Sequence, residues 1–87
     1  MARVALTKRA VEGLDTLPFL LGEAAAEAIA ELAYTPDKGH KLRGRLAGVR
    51  SLRVGAYRIL YHLVDNDRTV RILAVRHRSV AYQQDPR

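Results

Sequence analysis

The 87 residues are enough for one hydrophobic core and too few for two, so we expect a single domain over residues 1–87. The chain has no cysteine, no apolar run near the roughly 20 residues of a membrane span and no apolar leader. These absences exclude disulfides and thiolate metal sites and predict a cytoplasmic protein without membrane contact. The formal net charge of +6 favours an anionic partner over a cationic one.

The N-terminal half predicts a short strand followed by two helices. "RVALT" alternates as a strand does, and Thr7 is a suitable N-cap for a helix over "KRAVEGLDTL". Pro18 suits the first position of a second helix, "PFLLGEAAAEAIAELAY", whose apolar residues recur at helical spacing. Pro36 and Gly39 both interrupt that helix, so we expect it to end before them.

The C-terminal half changes to the alternating period of strands. "RSLRV" and "AYRILYHLV" are strand candidates joined by the two-residue loop Gly55-Ala56, "DNDR" supplies the next turn, and "TVRILAV" is the last strand. The expected fold is therefore α+β, in the order β-α-α-β-β-β. Two helices cover one face of a sheet whose last three strands form an antiparallel meander.

The Gly55-Ala56 loop also predicts which residues share a face of the sheet. Arg53 falls directly opposite Arg58 on one face, which also takes Ser51 and His62. The face packed against the helices takes Leu52, Ile59, Tyr61 and Leu63. Two directly opposed arginines repel each other. Either an anion normally lies between them or both side chains extend into water, and the pair alone does not decide.

Positive charge is concentrated in the second half of the chain. Residues 1–40 hold four cations and six carboxylates, whereas residues 41–87 hold eleven cations, ten of them arginine, and three carboxylates. Arginine binds phosphate through a planar fork and stacks on bases, so the bias favours a polyanion, most simply nucleic acid. An arginine-rich proteome would produce the same bias.

Three motifs in this half resemble one family. "HKLRG" precedes the sheet, "SLRVGAYRILYHL" contains an R-x-G-x-Y-R-x-x-Y hairpin, and "RHRSVAY" ends the last strand as H-R-x-x-x-Y. Together they resemble the RelE/ParE superfamily of bacterial toxins over nearly the whole chain, and the hairpin is the most specific of the three. The resemblance implies a RelE-like toxin domain similar in fold to small microbial ribonucleases. It also implies a labile antitoxin that wraps and inhibits the toxin.

The superfamily has two branches with different targets. RelE-type members cleave messenger RNA in the ribosomal decoding site. ParE-type members poison DNA gyrase and usually lack basic and hydroxyl groups at the end of the last strand. Because "RHRSVAY" supplies such groups, the resemblance implies a ribosome-dependent messenger-RNA endoribonuclease. A ParE-like gyrase inhibitor is the alternative, and a degenerate, non-toxic antitoxin-binding member is the third possibility.

The resemblance also implies roles for individual residues. Arg58 matches the hairpin arginine that contacts the scissile phosphate, and Tyr82 matches the tail tyrosine that stacks on the substrate base. Arg76 and Arg78 both lie near the position of the tail arginine, and the sequence does not choose between them. The residues expected to bind RNA or the ribosome are Lys41, Arg43, Arg45, Arg50, Ser51 and Arg53.

The identity of the general base is open. Cleavage in this family uses the RNA 2′-hydroxyl against the adjacent phosphate, so we expect no metal or other cofactor. Arginine stabilises charge on the phosphate but carries protons poorly, and Ser51 stands where the family commonly has a lysine or arginine. His77 is the natural replacement, unless it only orients the tail. Tyr82 is a candidate acid, unless it only packs the tail.

Overall fold

The N-terminal third forms a strand and two helices. In the computed structural model, which describes residues 1–87, β1 spans Arg3–Leu6, α1 spans Lys8–Asp15 and α2 spans Phe19–Glu31. Thr7 caps α1 as predicted: its Oγ1 accepts the backbone N–H of Ala10 at 3.1 Å and donates to a carbonyl of the last strand. Pro18 precedes α2 rather than opening it. Neither helix is long and apolar enough to cross a bilayer.

The C-terminal two thirds supply the rest of a five-stranded sheet. Its strands are β2 (His40–Lys41), β3 (Arg50–Val54), β4 (Tyr57–Val64) and β5 (Thr69–His77), with a 3-10 turn at Gly44–Leu46. The order across the sheet is β1-β5-β4-β3-β2, in which β1 pairs with β5 in parallel and every other pair is antiparallel. The α+β fold and the meander are confirmed. The two-residue β2 and the parallel β1 were not predicted.

The faces of the sheet follow the predicted register, with Arg53 opposite Arg58. The main core lies between the helices and one face, where Ile59 and Tyr61 are fully buried. Leu52 and Leu63 pack against that core, as the alternation predicted. The opposite face carries Ser51, Arg53 and Arg58 and is called the outer face below.

A β-bulge in β5 reverses the alternation of its side chains. Leu73 is the extra residue, because the pairing with β4 passes from Ala74 directly to Ile72. Ile72 packs beneath the helices before the bulge, and Val75, an odd number of residues later, packs there after it. The bulge therefore turns Arg76 to the outer face, whereas unbroken alternation would place it on the side of Ile72.

A buried tyrosine ties the loop after α2 to the sheet. Tyr61 is fully buried, and its hydroxyl donates to the Pro36 carbonyl at 2.8 Å and accepts the Gly39 N–H at 2.7 Å. Burial raises the pKa of Tyr61, so the hydroxyl keeps its proton. Tyr61→Phe should lower the free energy of unfolding by about 1–2 kcal/mol, since two backbone groups lose their partner. Urea titration measures the change. Tyr34→Phe is the control, because Tyr34 is 75% exposed. Equal effects of the two substitutions would contradict the prediction.

Candidate active site

Three arginines stand side by side on the outer face. Arg58 on β4 lies directly opposite Arg53 on β3 and directly opposite Arg76 on β5. Strands lie about 4.8 Å apart, so the backbones of the three arginines fall within roughly 10 Å. The two ion pairs of the molecule lie elsewhere, so no carboxylate forms an ion pair with this arginine row. Like charges in direct opposition are destabilising, so the row favours an anion that binds between them.

Backbone carbonyls orient two guanidinium groups of the row and leave one edge of each without a protein partner. The Nη1 of Arg58 donates to the Tyr57 carbonyl at 2.9 Å and to the Gly55 carbonyl at 3.2 Å. The Nη1 of Arg76 donates to two carbonyls of the chain end, the nearer being that of Gln84 at 2.8 Å. A guanidinium edge, Nε with Nη2, binds two oxygens of one phosphate. In both arginines the Nη1 group is fixed, and that edge has no hydrogen-bond partner in the protein.

The tail after β5 folds back over the outer face and brings Tyr82 beside the row. The Tyr82 hydroxyl lies 2.9 Å from Oγ of Ser51, which is only 6% exposed and lies two residues before Arg53 on β3. Arg45 donates to the carbonyls of Tyr82 and Gln83 at 3.5 and 3.3 Å. Tyr82 itself remains 41% exposed, which leaves ring surface open for stacking. The hydroxyl of Tyr82 in the tail therefore lies within hydrogen-bonding distance of the Ser51 side chain.

His77 and Arg78 lie apart from the row. His77 is directly opposite Tyr57 and packs edge-on against its ring, with centroids 5.4 Å apart. Because side chains alternate along a strand, this contact is on the side of the sheet away from Arg76. The Nδ1 of His77 accepts a backbone N–H of the following turn at 3.2 Å. Arg78 is exposed in that turn, so Arg76 is the tail arginine that the fold brings beside Arg58.

Of the six residues expected to bind RNA, only Arg53 belongs to the row. Arg45 and Ser51 contact the tail beside it, and the other three lie elsewhere. Arg50 points to the helix side, where its Nη1 donates to the Asp37 and Gly39 carbonyls, each at 3.0 Å. It supports the loop before β2. Lys41 and Arg43 are exposed near the β2 edge of the sheet. Both side chains are accessible to a large partner, but they lie at the β2 edge and are not part of the arginine row.

Family comparisons identify the class of protein. Residues 4–82 match the family described as ParE toxin of type II toxin-antitoxin system, parDE. The chain belongs to the RelE/ParE superfamily of toxins. This RelE/ParE toxin is 40% identical to Toxin RelG of Mycobacterium tuberculosis over 83 residues, which cover 93% of this chain and 95% of RelG. It is 34% identical to Toxin RelE of the same organism over 85 residues, which cover 95% and 88% of the two chains.

Two solved structures of RelE toxins agree with this assignment. The toxin–antitoxin complex RelBE2 of M. tuberculosis matches this RelE/ParE toxin with a TM-score of 0.79 and 38% identity, covering 87% of this chain and 96% of the other. A double arginine-to-alanine mutant of E. coli RelE in the free state matches with a TM-score of 0.77 over 98% and 95% of the chains. At 23% identity, the second match shows the fold alone. The resemblance carried by the three motifs is confirmed.

The structure of this RelE/ParE toxin adds a clasp at the chain end that sequence reasoning missed. Arg87 pairs with Asp85 at 2.9 Å and donates to the carbonyls of Ala47 and Arg45, each at 2.9 Å. Hydrogen bonds from Arg87 lower the pKa of Asp85 to about 2. Opposite charges two residues apart are common in tails, and their spacing carries no signal of where the tail docks.

Proposed function

We propose that this toxin is a ribosome-dependent messenger-RNA endoribonuclease that cleaves in the decoding site and so inhibits translation. The observation that supports this most is the arginine row, with Arg53, Arg58 and Arg76 on three adjacent strands and no carboxylate partner. The three charges repel one another, and a phosphodiester bound between them would offset that repulsion.

The row suits the charge that develops during cleavage. The substrate 2′-hydroxyl is adjacent to its own phosphate, so the protein need only hold the two in line. The proposed mechanism requires no metal or other cofactor. The free edges of Arg58 and Arg76 bind the non-bridging oxygens, and Arg53 adds charge at the β3 side. Fixed donors of this kind contribute about 10²–10³ each in rate, because they strengthen as the oxygens gain charge.

Proton transfer is the weak part of the site. The hydroxyl pair of Tyr82 and Ser51 lies beside the row, whereas His77 lies on the other side of the sheet. A role for His77 as base would require the end of β5 to rearrange. Without a strong base near the phosphate, we expect slow cleavage of free RNA. We propose that the ribosome supplies the remaining alignment of the message.

Tyr82 gives a prediction that separates stacking from proton transfer. Tyr82→Ala should reduce ribosome-dependent cleavage by about tenfold or more, because base stacking on an aromatic ring is worth about 1–3 kcal/mol. Tyr82→Phe keeps the ring and loses only the bond to Ser51, so its rate should stay within about fivefold. Single-turnover cleavage on programmed ribosomes measures both. If Phe proves as damaging as Ala, the hydroxyl itself moves a proton.

Expression of the toxin in a bacterial host tests the function itself. We expect translation to stop and messages to show cuts positioned by codon, each leaving a cyclic phosphate and a 5′-hydroxyl. Gyrase inhibition is the second candidate, because the matching family carries the description ParE toxin. Trapped gyrase–DNA complexes without message cleavage would establish that candidate instead. No growth defect would indicate a degenerate member.

We further propose a cognate antitoxin as the partner that keeps the toxin silent in the cytoplasm. The solved relatives include toxin–antitoxin complexes of the RelE type. The tail that lies over the outer face is held by hydrogen bonds from Arg45, Arg76 and Arg87 to backbone carbonyls. An acidic or amphipathic antitoxin segment could cover these arginines or displace the tail.

A further inference from the structure

A cationic cavity lies near the N-terminal half of β5, away from the arginine row. Its volume is about 320 Å³, and four of the residues that line it are the cations Lys8, Arg9, Arg71 and Arg87. Thr7, the cap of α1, and Leu73, the bulged residue, complete its floor. None of the roles considered above uses Lys8, Arg9 or Arg71.

Most of this charge has no partner within the protein. Lys8, Arg9 and Arg71 are exposed, and neither ion pair of the molecule includes them. Arg87 alone is paired, with Asp85. The positive charge of these side chains also lowers the pKa of a neighbouring histidine.

His62 on β4 lies directly opposite Arg71 on β5, and its pKa responds to this positive charge. Burial and then Arg71 and Arg87 lower its pKa, while Asp85 acts in the opposite direction. Its Nε2 is buried without a hydrogen-bond partner. The imidazole therefore stays neutral and adds no cation of its own to the cavity wall.

The start of α1 adds to the same field. The helix opens with Lys8 and Arg9 and has no acidic residue in its first turn. Cations at a helix N-terminus are disfavoured by the macrodipole, whose positive end is there. An anion in the cavity would offset both the dipole and the clustered side chains.

Arg71 in the lining of the cavity and Arg76 in the arginine row both lie on the outer face of the sheet. Burial and then the nearby cation Arg9 lower the pKa of Arg76, while Asp85 raises it. Arg71 and Arg76 are five residues apart on β5, which corresponds to roughly 16 Å of strand. A helical nucleic-acid strand carries a phosphate about every 3.4 Å, so one strand is long enough to reach both places.

We propose that the cavity bounded by Lys8, Arg9, Arg71 and Arg87 is a second phosphate-binding site, which holds the backbone of the same RNA strand that lies in the arginine row. The inference rests on the proposed function, because it takes RNA as the substrate. The site contacts phosphate and not bases, so it strengthens binding to all sequences alike. Arg87 reaches it only while the tail is docked, and displacement of the tail therefore weakens it.

Equilibrium binding to a 2′-O-methyl RNA single strand tests the site without cleavage, because this probe lacks the nucleophile. Fluorescence anisotropy over a range of salt concentrations gives the slope of log K against log salt. Each of Lys8→Gln, Arg9→Gln and Arg71→Gln should reduce the slope by about 0.7, and the triple variant by about 2. Lys38→Gln is the matched control, since it removes one cation that is already paired with Glu31 on α2. Its slope should equal that of the wild type.

The outcomes separate this inference from the proposed function. If the triple variant binds like Lys38→Gln while Arg58→Ala weakens binding, the second site is wrong and the proposed function stands. If the triple variant loses affinity for the antitoxin but not for RNA, the cavity serves a protein partner and the inference is overturned. If the wild type shows no salt-dependent binding, the second site is wrong, and cleavage on programmed ribosomes decides the proposed function separately. Melting temperatures equal to that of the wild type are required of every variant and are expected, because all three positions are exposed.

Discussion

Arg58→Ala should reduce ribosome-dependent cleavage by about 10²–10³-fold and change the affinity for the antitoxin by only a small factor. Arg58 is the central member of the row, directly opposite both Arg53 and Arg76. Its Nη1 is fixed by the Tyr57 and Gly55 carbonyls, so its free edge is oriented before substrate arrives. Loss of one such preorganised donor costs about 2.7–4 kcal/mol of transition-state stabilisation. Single-turnover cleavage of a message on programmed ribosomes measures the loss.

The controls distinguish geometry from charge. Arg58→Lys keeps the charge but lacks the planar fork, and we expect it to remain strongly impaired. Arg68→Ala removes an arginine from the exposed turn between β4 and β5, and cleavage should be unchanged. Normal cleavage by both Arg58→Ala and His77→Ala would show that the site lies elsewhere, even if the activity is correct.

The sequence predicted the hairpin because its register depends on local chemistry. Gly55 has a positive φ of 58°, a conformation that a two-residue loop requires and that glycine adopts without strain. Once that loop is placed, the pairing of Arg53 with Arg58 and the division of residues between the two faces follow from alternation alone. The central pair of the candidate site could therefore be found without coordinates.

The other half of the site depends on a feature without a local signal. "ILAV", residues 72–75, is apolar throughout, and nothing in it marks Leu73 as the residue that the ladder omits. The bulge decides that Arg76 joins the row and that His77 does not. With unbroken alternation, His77 would lie on the outer face and Arg76 on the face that packs against the helices. The sequence left Arg76 and Arg78 as equal candidates because both lie near the position of the tail arginine.

Long-range docking accounts for the remaining gaps. β1 pairs with β5 in parallel although more than sixty residues separate the two strands along the chain, and no nearby residue predicts this pairing. The tail is positioned by arginine side chains that reach backbone carbonyls, which any sequence offers. Such contacts are fixed by the assembled fold and do not appear as motifs.

Two glycines in the helices should respond in opposite directions to the same substitution. A Cβ at Gly13 on α1 would lie 2.6 Å from the carbonyl oxygen of Val75, the residue that precedes Arg76. A Cβ at Gly22 on α2 would meet nothing within 4 Å. Gly13 weakens α1 as a helix, and the close approach to β5 explains why a larger residue is absent there. At Val75 the backbone of β5 is paired with β4, so it cannot move away cheaply.

Gly13→Ala should therefore lower the free energy of unfolding by about 2–3 kcal/mol, because α1 must separate from β5 to admit the methyl group. Gly22→Ala should raise it by about 0.5–1 kcal/mol, since alanine favours the helix and nothing is displaced. Urea titration of both variants gives the two signs on one scale. Equal stabilisation of both would mean that α1 does not pack closely on β5 at Val75.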